Sequence, residues 1–70
     1  GMSKYKSLWE YIQTHTEERF IMTFVDIEKA AGIPIDHSFL NAKKELIEYG
    51  YRVDKISLKF QTVCFARVKQ

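Results

Sequence analysis

The sequence predicts an α+β fold in which three short helices pack on a three-stranded antiparallel sheet. Three observations carry this expectation. Apolar residues recur at three- and four-residue spacing in three separate stretches. The closing twenty residues change to a period of two. A short apolar run, Phe20-Ile21-Met22, stands between the first two helical stretches, so the order is helix, strand, helix, helix, strand, strand.

Lys4 to about His15 reads as the first helix. Tyr5, Leu8, Trp9 and Ile12 form one apolar stripe, Ser3 is its expected N-cap, and Tyr11 lies off the stripe's centre. Thr14 to Arg19 is polar and without period, which reads as a loop. Phe20-Ile21-Met22 is then a strand of about three residues, able to pair with an edge of the C-terminal hairpin. Thr23 is the expected cap of the second helix, with Asp26 three residues on as a shortened capping box. Phe24, Ile27 and Ala31 share a face, and Gly32 is placed to end the helix in the left-handed conformation. Ile33-Pro34-Ile35 makes the turn, since the residue before proline avoids helical geometry.

Asp36 or Ser38 caps the third helix, and Gly50 stops it. Phe39, Leu40, Leu46 and Ile47 are its expected core face, while His37, Asn41, Lys44, Glu45 and Glu48 face outward. From Tyr51 the period is two. Tyr51 and Val53 share one face, but Ile56, Leu58 and Phe60 fall on the other, which predicts a bulge or strong twist near Asp54–Lys55. Lys59 to Thr62 makes a turn without Gly or Asn, and Val63 to Val68 is the last strand. The expected core is Leu8, Trp9, Ile12, Met22, Ile27, Leu46, Ile47, Val53, Ile56 and Phe65.

Seventy residues make a single domain whose core supplies roughly 3–5 kcal/mol. An apolar share of 46% excludes a disordered tail. The net charge of +2 is unevenly spread: residues 1–19 and 37–50 are neutral, 20–36 carry −2, and 51–70 carry +4. The positive field therefore belongs to the C-terminal hairpin. Cys64 is the single cysteine, which excludes an internal disulfide and a multi-cysteine metal site. It reads as a small buried hydrophobe in a reducing cytoplasm. No signal peptide and no apolar run of about 18 residues is present, so no membrane association is expected. Gly1 before Met2 reads as a remnant of tag cleavage and is set aside.

The element order is that of the winged helix. Four motifs accompany it: Tyr5-x-x-Leu8-Trp9-x-Tyr11-Ile12, Thr23-Phe24-x-x-Ile27-Glu28-x-x-x-Gly32, Gly50-Tyr51-Arg52-Val53-x-x-Ile56-x-Leu58 and Val63-x-Phe65-x-Arg67. Together they resemble a family of small bacterial and phage domains with a Y-x-x-L-x-x-Y-L helix, a T-F-x-x-I-E helix start and a G-W-x-V-x-x-V-x-L strand. The resemblance covers most of the chain and implies a winged-helix-like fold with no activity to carry over. One departure is clear. The family's longer Pro-, Arg- and Trp-rich stretch between the second and third helices is replaced here by Ile33-Pro34-Ile35-Asp36, running straight into His37-Ser38.

Two partner classes fit the residues. In the first, the N-terminal half of the third helix meets the edges of DNA bases through His37, Ser38, Asn41 and Lys44, because Asn matches adenine and Lys matches guanine or phosphate. Arg52, Lys55, Lys59 and Lys69 then hold the DNA or RNA backbone. Asp36, Glu45 and Glu48 oppose a polyanion, and lysines on a sheet edge also serve to block unwanted pairing. In the second, the module dimerises or binds a protein partner through exposed aromatics, of which Tyr11, Tyr49 and Phe60 are expected at the surface, and through the free sheet edge.

No enzymatic activity, metal, cofactor or small-molecule substrate is expected. His15 and His37 lack partners at metal-binding spacing, and Asp36 and His37 point apart on a helix start. Asp26 and Glu28 suit the positive end of a helix. Cys64 has no base nearby in sequence, and there is no Gly-rich phosphate loop.

Overall fold

The computed structural model describes residues 3–69; the reading of Gly1 falls outside them. Among the described residues the elements are α1 (Lys6–Gln13), β1 (Arg19–Thr23), α2 (Phe24–Ala31), α3 (Ser38–Ala42) continued by a 3-10 segment (Lys43–Tyr49), β2 (Tyr51–Ser57) and β3 (Thr62–Arg67). The fold is α+β, three helices beside a three-stranded antiparallel sheet.

The α1 stripe is buried as its spacing requires: Tyr5, Leu8, Trp9 and Ile12 are wholly inaccessible. The helix opens two residues later than expected, because Ser3 organises a turn ahead of it. The Ser3 hydroxyl accepts the Tyr5 N–H at 3.1 Å, and its carbonyl accepts the Lys6 N–H at 3.1 Å. Thr23 does cap α2, its hydroxyl accepting the Asp26 N–H at 3.1 Å. Gly32 ends that helix at φ 75°, donating to the Glu28 carbonyl at 2.8 Å. The Glu28 carboxylate accepts the Ile35 N–H at 2.8 Å, which fixes the turn that Pro34 makes obligatory.

The third helical stretch departs from expectation. It winds as an α-helix only to Ala42 and then tightens to 3-10 geometry as far as Tyr49. Three residues per turn align Leu46 and Tyr49. Leu46 is fully buried and Tyr49 packs on the core. Ile47, one residue on, turns to solvent and is 52% exposed; Leu40 is 50% exposed. Both were expected inside together with Phe39 and Leu46, and of the four only Phe39 and Leu46 are buried. Asp36 accepts the Ser38 N–H at 2.8 Å and so organises the start of α3.

The sheet order is β1-β3-β2, so the last strand is central and β1 pairs with it along its whole length. The expected bulge is present. The register steps from Val53↔Phe65 to Lys55↔Cys64, leaving Asp54 as the extra residue. That one residue returns Ile56 to the face of Tyr51 and Val53, opposite Val63. Val53 and Ile56 are half-buried against the core rather than enclosed by it. The hairpin turns over residues 58–61, and Gln61 supplies the left-handed conformation at φ 53° that a glycine would ordinarily take. The Gln61 carbonyl accepts the Phe24 N–H at 2.8 Å, tying the turn to the start of α2.

The core lies between the helices and the inner sheet face, where Met22, Tyr51, Val63 and Phe65 meet Trp9, Ile27 and Leu46. Tyr51 buries its ring and donates its hydroxyl to the Glu17 carbonyl at 2.6 Å. No helix among the described residues is long and apolar enough to cross a membrane.

Candidate nucleic-acid interface

Alternation along a strand sends successive side chains to opposite faces. With Val53, Ile56, Val63 and Phe65 committed to the core, their neighbours form an outer face in three cross-strand rows. These are Arg19–Ala66–Arg52, Ile21–Cys64–Lys55 and Thr23–Thr62–Ser57. The bulge adds Asp54 to this face. One Asp54 oxygen accepts from Arg52 Nη1 at 2.6 Å and the other pairs with Arg19 Nη1. Ala66, between the two arginines, is buried. The hydrogen bond from Arg52, with the positive charge of Arg19 beside it, holds the Asp54 carboxyl below the usual aspartate value.

Beyond these rows lies the tip of the hairpin. Phe60 is 71% exposed, and the Lys59 ammonium stands 5.4 Å from its ring centroid. Phe60 closes one side of a shallow pocket of about 250 Å³ whose other walls are Ile21, Lys55, Ser57, Thr62 and Cys64. Ile21 is 67% exposed, so the centre of this face is apolar and its margins are basic. Four cations (Arg19, Arg52, Lys55, Lys59) and one carboxylate (Asp54) give it a net charge of +3, more than the +2 of the whole chain.

The residues anticipated for nucleic acid therefore divide into two groups. Arg52, Lys55 and Lys59 belong to the outer face and the tip. His37, Asn41 and Lys44 are exposed on the helical layer, which packs against the inner face. The sheet stands between the groups because Arg52 and Lys55 must point away from the core that their neighbours enter. Asp36, beside His37, is paired with Lys4 at 3.5 Å, and the Ser38 hydroxyl holds its carboxyl below the usual value. Arg19 was missed as a site residue because the apolar run next to it begins only at Phe20. Its alternation with Ile21 was the available signal.

The expected aromatic interface does not form one patch. Tyr49 is half-buried against the core. Tyr11 stands edge-on to His15, with centroids 5.1 Å apart, and lines a cleft with His15 and Phe20 that shares only Ile21 with the pocket beside Phe60. His15 in turn stacks flat on Phe20 at 3.8 Å. Among the described residues no group of three His, Cys, Asp or Glu side chains is placed to hold a metal ion. Cys64 is half-buried on the outer face rather than enclosed in the core.

A second surface was not anticipated. An apolar groove of about 400 Å³ runs between the start of α2, α3 and the hairpin, lined by Phe24, Ile35, Leu40, Ile56 and Leu58 with Asp36 and His37 on its rim. Leu58 is 79% exposed there. No family model matches this chain, and comparison with curated proteins and with solved structures finds no similar one.

Proposed function

We propose that this domain is a winged-helix-like module, without enzymatic activity, that binds nucleic acid through the outer face of its sheet. The observation that carries the reading is the segregation of charge: a face of net +3 on a chain of net +2. The helix–strand–helix–helix–strand–strand order, with β1 beside β3, supports the winged-helix part. The motif residues Tyr5, Leu8, Trp9, Ile12, Ile27, Tyr51 and Phe65 are all core. Membership of the small bacterial and phage family is accordingly proposed as a shared fold, and a reducing cytoplasm as the place where the Cys64 thiol stays free.

Asp54 uses one Nη1 donor of each arginine, so each guanidinium keeps further N–H donors for phosphate oxygens. The carboxylate thus orders two long side chains in advance. Lys55 and Lys59 add compact point charges. Binding of this kind releases counterions and weakens linearly in log affinity as salt rises. With four phosphates contacted, the slope of log K against log salt is roughly −3 to −4. Fluorescence anisotropy of a labelled oligonucleotide between about 50 and 200 mM salt measures it. Absence of binding at the lower salt refutes the proposal.

One observation favours a second reading. The groove bounded by Leu40 and Leu58 presents apolar side chains to solvent and suits a second copy or a protein partner. Base reading by His37, Asn41 and Lys44 is weaker, because His37 borders this groove beside Asp36 and all three lie on the helical layer, away from the basic sheet face.

A further inference from the structure

We infer that the outer sheet face takes single-stranded nucleic acid, with Phe60 as the platform on which an unpaired base stacks. The inference rests on the nucleic-acid reading and narrows it. A duplex hides the faces of its bases and shows a reader only groove edges and phosphates, whereas an unpaired strand exposes base planes that pair with aromatic rings. Phe60 is the one aromatic side chain among the described residues that is both largely exposed and set amid this basic face.

The arrangement has the two parts that such binding requires. The Arg19–Asp54–Arg52 row and Lys55 supply charge along one end and edge of the face, and Lys59 supplies it at the other end, beside the ring. Between them lie Ile21 and the shallow pocket, an apolar floor of the size a base ring covers. Ser57 and Thr62 add hydroxyls at its rim. From Arg52 to Ser57 the strand advances roughly 15 Å, room for a short length of chain laid along the hairpin. A polyanion of carboxylates alone, such as polyglutamate, satisfies the charges but leaves Phe60 and Ile21 unmatched. A base matches both.

The test uses anisotropy with fluorescein-labelled oligo-dT of about 15 nucleotides at about 50 mM salt. A random duplex of equal length and a polyglutamate of equal charge serve as competitors. Phe60→Ala is the informative variant, and circular dichroism verifies its fold. Lys29→Ala, on α2, removes a cation elsewhere. Oligo-dT is expected to bind more tightly than the duplex and to resist polyglutamate. Phe60→Ala should weaken it between about five- and 150-fold, Lys55→Ala should weaken it less, and Lys29→Ala should leave it unchanged. Equal binding of duplex and single strand, with Phe60→Ala silent, overturns the single-strand inference while the nucleic-acid reading stands. So does a loss caused by Asn41→Ala or Lys44→Ala but not by Phe60→Ala. Displacement by polyglutamate as effective as by oligo-dT removes both readings, since it requires neither base nor phosphate. Failure of every nucleic acid to bind removes both.

Discussion

The Tyr51 side chain shows how one residue joins core to surface. Its ring is buried, its hydroxyl donates to the Glu17 carbonyl, and Arg67 donates to that hydroxyl at 3.3 Å while lying 5.3 Å from the ring centroid. Tyr51→Phe keeps the packing and removes the hydrogen bonds, so it should cost about 1 kcal/mol in urea unfolding. Trp9 poses a similar question across α1 and the 3-10 segment, its indole N–H meeting a Glu45 oxygen at 3.1 Å. The Ser3 hydroxyl, and after it the Trp9 N–H, hold the Glu45 carboxyl below its ordinary value. A depressed carboxyl pKa favours the folded state above the unfolded pKa, and that advantage disappears as pH falls through the folded value. The urea midpoint of the native chain should therefore exceed that of Glu45→Gln at about pH 7, and the gap should close toward about pH 3. A gap independent of pH would mean that the charge on Glu45 contributes nothing.

Among the elements, the bulge in β2 decides most about the surface. Were Asp54 paired in the ladder instead of bulged, strict alternation would send Ile56 outward and Lys55 toward the core. Deleting Asp54 should leave Val53, Lys55 and Ile56 alternating as they pair now, so cross-strand NMR contacts between Ile56 and Val63 should persist while the carboxylate that joins Arg19 and Arg52 is lost. Asp54→Ala keeps the chain length, preserves those contacts, and removes the one carboxylate of the face; the added positive charge should outweigh the lost ordering of the two arginines and raise affinity for nucleic acid. This bulge was legible in the sequence because the apolar alternation changes phase between Val53 and Ile56. The Thr23 cap and the Gly32 stop were legible too, since each depends on local chemistry. The 3-10 winding was not. An α-helix and a 3-10 helix both bring residues three apart together, so Leu40 and Ile47 satisfied a core pattern that only tertiary packing rejects. The division of the site had the same origin: the sequence lists cations, but which side of a sheet each one occupies follows from the register.

At the scale of the whole molecule, a chain of 8.3 kDa has a small core and two exposed surfaces of opposite character, one basic and one apolar. Whatever binds the folded state alone adds to its stability by mass action. Oligo-dT at about 100 times its dissociation constant should add about 2.7 kcal/mol, which for a domain of this size raises Tm by roughly 10–20 °C. Salt separates this gain from association through the Leu40–Leu58 groove. Phosphate contacts are screened and their counterion release is suppressed, so the oligonucleotide's increment should shrink steeply between about 50 and 200 mM salt. Burial of leucine against leucine carries no such dependence. If copies of the chain associate through the groove, Tm should climb with protein concentration equally at both salts, and Leu58→Asp should abolish the climb without touching the oligonucleotide's increment. An increment that survives salt, or that Leu58→Asp removes, would place the nucleic acid in the groove and not on the sheet.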